Sequence, residues 1–436
     1  MGNEFFVRAI LDNWLYFGAI YGGFLCFYLL LYRKIYWGIL DPMLITVINL
    51  AGGAFCVYFL YTDQSLKPIY GWSFLGTEVA LFLGLTLATY IPVLKLGGNT
   101  NKVEILRSEG VSEFDIFCFV VYAAYVCVEI VNLKTVGIVL LNDEENHVSA
   151  YSGHGIVRAF LLSYRTLVIL ALYYKTLYLK KKLNLFELFI CFVLLVDIAT
   201  SGSKGAVAVF FLMYFLISYP MVNKGRMETI KLSLPLMVAL ASFPVAIVMI
   251  SVGADVTSAI QQVGLRLMAS GDIFLLGYFD DVMDSIQETS FFKYAFYPGW
   301  GAILKNLGFD ITPPEPVGVD VFAFYTNRRT SGANGRYNYL AYHFFGLWGG
   351  IIYALVIGLL VGYLRNTFKN LNPMNMNYYA FLFMVVLISC STRLIDDILL
   401  FGNTSFWALL FLTLSFVIAK FLYKVLQVVT GLKSYA

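Results

Sequence analysis

Charge is what this chain lacks most: Asp, Glu, Lys and Arg make up 13% of its 436 residues, against 60% hydrophobic and 17% aromatic. A soluble globular protein carries about 25% charged residues, so that class is excluded. The apolar runs do not alternate with polar residues, which excludes a membrane β-barrel. No Cys-x-x-Cys, His-Glu-x-x-His or Gly-x-x-x-x-Gly-Lys-Ser/Thr sequence occurs, leaving nucleotide hydrolysis and zinc chemistry without a visible seat. The six cysteines, Cys26, Cys56, Cys118, Cys127, Cys191 and Cys390, all fall inside apolar runs and read as small core residues rather than disulfides or metal ligands. No internal repeat is visible, and the paired broken spans of inverted-repeat transporters are missing.

What is present is a series of apolar runs near 14–32, 38–61, 74–94, 114–134, 156–179, 184–200, 204–222, 232–252, 341–363, 377–392 and 398–423. Runs of ~20 residues cross the hydrocarbon core as helices, so the expected fold is an all-α polytopic membrane protein with about eleven transmembrane helices. The net charge of +3 matters less than where the basic residues fall. Arg33 and Lys34, Lys95 to Arg107, Lys175 to Lys182, Lys224 to Lys231, Arg365 and Lys369, and Lys420 to Lys433 alternate with connections that hold almost no Lys. The positive-inside rule makes these the cytoplasmic ends, with the N-terminus outside and the C-terminus inside. The first run is too long and wrongly flanked for a cleaved signal peptide and is expected to stay as an anchor; Met1 to Asn13 suit an interfacial helix.

Three blocks follow: an N-terminal bundle over 1–252, a large extracytoplasmic loop over 253–340 containing short helices, and a C-terminal bundle over 341–436. Within the loop, Val263 to Met283 reads as an amphipathic helix, and the prolines around Tyr297-Pro298-Gly299-Trp300 and Pro313-Pro314-Glu315-Pro316 break any continuous helix. The loop ends in Asn327-Arg328-Arg329-Thr330-Ser331-Gly332-Ala333-Asn334-Gly335-Arg336-Tyr337-Asn338. Three guanidiniums beside the start of a span suggest a phosphate ligand.

Several charges fall inside apolar runs, where each costs roughly 2.5 kcal/mol or more at the centre. Arg158 and Arg165 share a helix face and must meet a polar cavity or a partner, or else snorkel to the headgroups. Lys204, in Thr200-Ser201-Gly202-Ser203-Lys204-Gly205, offers an ammonium and free backbone N–H groups to an oxyanion; the same turn also suits a tightly packed helical hairpin. Arg393, Asp396 and Asp397 form either an ion pair or the floor of an outward cavity. Arg266, Asp272, Asp280 and Asp281 fit a solvated helix face. His343 is either a base or a satisfied core histidine.

Two segments taken together carry a resemblance. Ser203-Lys204-Gly205 opens an apolar run, and Tyr337-Asn338-Tyr339-Leu340 is followed by Phe345-Gly346-Leu347-Trp348-Gly349-Gly350. They resemble the Ser-Arg-Gly and His-Asn-x-x-Leu…Gly-x-x-Gly patterns of the Wzy-type O-antigen polymerase and O-antigen ligase superfamily, and the order of spans, hairpin and long outer loop is similar too. The resemblance covers the chain from about residue 200 onward, by architecture more than by identity.

It implies a metal-independent, cofactor-free, inverting membrane glycosyltransferase of the GT-C kind in polysaccharide biosynthesis, such as that of lipopolysaccharide. Such an enzyme sits in the bacterial cytoplasmic (inner) membrane with its active site facing the periplasm or exterior. A polymerase of this sort transfers the growing glycan from undecaprenyl diphosphate to a new lipid-linked repeat unit. Its partners are that donor and acceptor, the membrane lipids and a chain-length regulator, with no nucleic acid. Arg158, Lys204, Arg266, Arg328, Arg329, Arg336 and Arg393 are then the candidate diphosphate and glycan contacts, since without a metal the leaving charge needs fixed cations. Tyr297, Trp300, Tyr325 and Tyr339 are candidates to stack on sugars or to anchor the loop.

This chain has Lys204 where the family has Arg, and Tyr337 where ligases carry His. A phenol with a reference pKa near 10 is a poor base, which favours a polymerase over a ligase. The base candidates are His154, His343, Asp272 and Asp396, beside Tyr337 and Asn338 of the motif. The competing functions are a flippase or exporter of the same lipid-linked glycans, an O-antigen ligase and a glycan O-acyltransferase. The long outward segment suits a lid over a fixed site better than a transporter.

Overall fold

The computed structural model describes residues 2–94, 103, 106, 111–139, 151, 154–200, 206–227, 242, 245, 249, 255–279, 282–286, 289–312, 314–327, 329 and 332–430. Every regular element among them is helical. In chain order these are α1 (Gly2–Asp12), α2 (Trp14–Leu31), α3 (Pro42–Thr62), α4 (Pro68–Leu87), α5 (Glu113–Thr135), α6 (Gly155–Tyr173), α7 (Leu185–Thr200), α8 (Ala206–Asn223), α9 (Val256–Met268), α10 (Asp272–Gly277), α11 (Val282–Ser285), α12 (Phe291–Phe296), α13 (Trp300–Asn306), α14 (Val317–Thr326), α15 (Tyr337–Lys369), α16 (Tyr378–Ser391), α17 (Arg393–Asp396) and α18 (Ile398–Thr430).

The protein is an all-helical membrane protein. Among the described residues, eight helices are long and apolar enough to cross a bilayer: Trp14–Leu31, Pro42–Thr62, Pro68–Tyr90, Glu113–Thr135, Gly155–Tyr178, Tyr337–Lys369, Tyr378–Asp396 and Ile398–Thr430. Two further runs read from the sequence fall on α7, of 16 residues, and α8, of 18 residues. The run 232–252 lies mostly outside the described residues. All six cysteines are free.

The chain forms two compact units. The first comprises Met1–Val93, Ser242–Asn366 and Cys390–Asn403; the second comprises Leu94–Ala241, Thr367–Ser389 and Thr404–Ala436.

In the first unit, local chemistry fixes where spans begin. Asp41 caps α3, accepting from Met43 N at 2.9 Å with Pro42 in the first helical position, where its missing N–H costs nothing. Arg365 reaches Asp41 through Nη1 at 3.1 Å and Nη2 at 2.5 Å, and its guanidinium lies 3.9 Å from the Trp37 ring centroid. Both partners are buried, so this pair ties the start of α3 to the far part of α15. Helices α4 and α15 cross at glycines: a Cβ on Gly84 would stand 2.5 Å from Leu355 O and 2.9 Å from Gly358 Cα, and one on Gly358 would stand 2.5 Å from Leu81 O. Small residues let the two backbones touch, as in close membrane-helix pairs.

The segment after residue 255 packs into this unit. The amphipathic helix read over Val263 to Met283 is in fact broken: α9 ends at Met268, a 3-10 turn runs over Ala269–Gly271, and α10 follows. Packing supplies the reason. The turn is pressed against Gly52 and Gly53, midway along α3, and a Cβ on Gly271 would stand 2.5 Å from Gly53 Cα. Every residue of α10 is buried, as irregular backbone must be when it meets the middle of a spanning helix.

Helix α15 is itself two limbs. Gly346 has φ 63° and ψ −164°, a region reserved for glycine. The break lays Gly350 against the backbone of Ala341, within 3.0 Å of where its Cβ would be.

In the second unit a Ser112–Asp115 capping box starts α5, and Lys181 reaches Asp115 at 2.9 Å. Lys175 pairs with Glu187 at 2.6 Å. Arg165 meets Asp197 through two hydrogen bonds, and Tyr125 donates to the same carboxylate at 2.6 Å. Of the outcomes open to Arg165 from the sequence, a polar cavity, a partner or snorkelling to the headgroups, the structure shows a partner.

Candidate functional site

Three segments of the first unit, distant in sequence, converge on Arg336. The 3-10 turn brings the Ser270 carbonyl, held in place by the α3 glycines; the start of α15 brings Arg336 itself; α17 brings Asp396. The Arg336 guanidinium is buried. Its Nε donates to Ser270 O at 3.2 Å and Nη2 donates to the same oxygen at 2.5 Å, while Nη1 donates to Asp396 Oδ1. Arg336 also opens the helix, its carbonyl accepting from Leu340 N at 3.0 Å.

Asp272, at the start of α10, lies within electrostatic reach of Arg336 and accepts from the exposed Arg266 at 3.2 Å. Burial pushes the Asp272 carboxyl up, and Arg266 and Arg336 pull against that rise. Its Oδ1 is buried with no hydrogen-bond partner. Arg393 acts electrostatically on Asp396. The result is an alternating series, Arg266, Asp272, Arg336, Asp396, Arg393. Next in the chain, Asp397 accepts from the Tyr294 hydroxyl at 2.9 Å and from Leu399 N at 2.8 Å, capping α18. Burial raises its carboxyl to about 6.

Two residues beyond Arg336, a second polar cluster is built on α4. Asn338 Nδ2 donates to Glu78 Oε1 at 3.2 Å and to Thr77 Oγ1 at 3.0 Å, and the Tyr28 hydroxyl donates to Glu78 Oε2 at 3.2 Å. Tyr337 and Tyr32, both fully buried, face the same carboxylate. Glu78 also forms part of the wall of an apolar groove of about 650 Å³ between α2, α3 and α4, with Phe24, Tyr28, Tyr32, Phe74 and Phe82.

The structure gathers Arg336, Arg266, Arg393, Asp272 and Asp396 into one network, with Tyr337 and Asn338 adjoining it. The other described candidates meet other neighbours. Arg329 is exposed and pairs with Glu315 and Asp320. His343 is half-buried and meets Phe344 edge-on at 4.7 Å. Tyr339 is fully buried and stacked on Tyr278 at 5.6 Å, so its ring is not free for a sugar. Arg158 and His154 belong to the second unit, at the start of α6, where Arg158 lies 5.4 Å from the Tyr151 ring centroid. Lys204, Arg328, Asp280 and Asp281 lie outside the described residues.

Sequence reasoning missed Glu78, Asp197 and the Ser270 carbonyl. The first two carried a usable signal, a lone carboxylate inside an apolar run; a backbone carbonyl carries none. Among the described residues, no three His, Cys, Asp or Glu side chains come together as a metal-binding group. Compared with protein families, curated proteins and solved structures, the chain matches none of them.

Proposed function

We propose that this chain polymerises undecaprenyl-diphosphate-linked oligosaccharide repeat units. The glycan passes from one lipid carrier to the terminal sugar of another lipid-linked unit, with inversion and release of undecaprenyl diphosphate. The observation that carries this reading is Arg336, a buried guanidinium at a helix start, held by a carbonyl and a carboxylate and linked through Asp272 and Asp396 to Arg266 and Arg393.

Departure of a lipid diphosphate develops negative charge, and preorganised cations in a poorly solvated site stabilise it most strongly. On this reading Asp396 occupies the place at Arg336 that a phosphoryl oxygen would take. Asp396 and Asp272 then serve as counter-ions that aim the guanidiniums, rather than as bases. The resemblance of Tyr337-Asn338-Tyr339-Leu340 and the following glycines to the polymerase and ligase pattern supports the same reading, and Tyr337 in place of His favours a polymerase over a ligase.

The test is elongation by the purified protein in nanodiscs. Lipid-linked glycan extracted from the producing cells is supplied with a chelator present. The expected product is a ladder, reduced on the order of 10²–10³-fold in Arg336→Lys, which keeps the charge but loses the planar fork. Passage of intact lipid-linked units across vesicles without elongation would overturn the reading in favour of a flippase.

A further inference from the structure

Resting on the polymerase reading, we infer that Glu78 is the catalytic base that takes the proton of the acceptor hydroxyl. The carboxylates at the core of the first unit have different employments. Asp41 pairs with Arg365, Asp272 with Arg266, Asp396 with Arg336, and Asp397 caps α18 while accepting from Tyr294. Glu78 alone among these is held only by neutral donors and also lines a groove: Tyr28 donates to one oxygen, Asn338 to the other, and Tyr337 hydrogen-bonds the same carboxylate.

An ionised carboxylate offers about four lone-pair sites, so with Tyr28, Asn338 and Tyr337 in place Glu78 keeps one for a further donor. The Tyr32 hydroxyl, buried beside Glu78 and lining the same groove, has no hydrogen-bond partner. A sugar hydroxyl complements the pair, donating to Glu78 and accepting from Tyr32. A phosphate does not, because it brings a second negative charge to a carboxylate.

Placement supports the role. Arg336 and Asn338 are two residues apart at the start of α15, so the helix that carries the diphosphate-facing guanidinium also orients Glu78. In the step, the acceptor oxygen forms a bond to the anomeric carbon while its proton passes to Glu78. The bond from that carbon to the diphosphate oxygen breaks, and its electron pair leaves with undecaprenyl diphosphate. No oxidant or further reactant is needed. The titratable and charged groups facing Glu78 are Tyr28 from α2, Tyr32 just after it, Arg336 just before α15 and Tyr337 in its first turn; α3 brings Tyr58 and Tyr61 to the groove wall and no charged group.

The experiment compares wild type, Glu78→Gln and Tyr28→Phe in nanodiscs, using the extracted lipid-linked glycan for elongation and undecaprenyl diphosphate alone for binding. Glu78→Gln is expected to bind undecaprenyl diphosphate within about three-fold of wild type while elongating on the order of 10²–10⁴-fold more slowly. Tyr28→Phe, which strips one donor from the carboxylate, is expected to move the acid limb of the pH–rate profile. Elongation by Glu78→Gln within about three-fold of wild type overturns the inference. If Glu78→Gln does not fold, an unmoved acid limb in Tyr28→Phe overturns it instead. Absence of both elongation and undecaprenyl diphosphate binding in wild type would instead sink the polymerase reading, and this inference with it.

Discussion

Replacing Asp396 by Asn separates a ligand-binding Arg336 from a merely structural one. Arg336→Ala cannot do so, because it strips the half-buried Asp396 carboxylate of its partner, at up to roughly 3 kcal/mol. It also leaves the Ser270 carbonyl, which accepts two N–H groups, unpaired at about 1–3 kcal/mol. Together that approaches the whole stability of many folded proteins, and a dead variant would say only that it had unfolded. Asp396→Asn keeps the shape and leaves both Ser270 bonds in place while removing the negative charge that competes for Nη1. A hydrogen bond to a charged group is worth about 1.5–3 kcal/mol. An anion that must displace Asp396 should therefore bind about 10- to 100-fold more tightly to Asp396→Asn. The assay is a titration of nanodisc-embedded protein with undecaprenyl diphosphate, with the unfolding temperature followed in parallel. Affinity that is unchanged or weaker in Asp396→Asn, alongside a lowered unfolding temperature, would refute the argument that Arg336 receives the diphosphate.

Three further outcomes follow from the packing. Asp41→Ala should cost about 4–6 kcal/mol, joining a buried guanidinium without its partner to a lost helix cap; the double variant Asp41→Asn with Arg365→Met should recover much of this in denaturant unfolding, and no recovery would deny the coupling. Gly84→Ala should lose about 1–3 kcal/mol, because its Cβ meets only backbone of α15, whereas Gly76→Ala, which meets the movable end of Ile351, should be nearly neutral; equal unfolding temperatures for the two would contradict this crossing. Asp397, raised from 3.8 to about 6, binds its proton more tightly folded than unfolded, so its contribution to stability is complete below about pH 4 and is lost as pH rises through about 6, by ~3 kcal/mol in all; Asp397→Asn should flatten that part of a pH series of unfolding midpoints.

Much of the helical plan was legible because a spanning helix advertises itself locally. The runs near 14–32, 114–134 and 156–179 match Trp14–Leu31, Glu113–Thr135 and Gly155–Tyr178 within a residue or two, since hydropathy depends only on neighbours in sequence. Arg165 was legible in part: its cost in an apolar run required some compensation, but the choice of Asp197 on another helix did not follow from that. Breaking the 263–283 helix was not legible, because the cause is the bare backbone of Gly52 and Gly53, more than two hundred residues earlier. Equally hidden was the separate fate of two cations at one loop end. Arg329 and Arg336 stand seven residues apart in the same loop end, yet one is an exposed partner of Glu315 and the other is the buried centre of the network.

The sequence by itself determined that this is a helical membrane protein, because the free energy of placing each run in hydrocarbon is a sum over that run alone. It also marked Arg336-Tyr337-Asn338 as polar groups at the mouth of a span. Only the tertiary structure decided which oxygens those groups meet: Ser270 and Asp396 for Arg336, and Glu78 for Asn338. Those partners lie 60 to 260 residues away along the chain. Contacts of that kind are set by how closely glycine-lined helices approach, a property of the packed whole that no local stretch encodes.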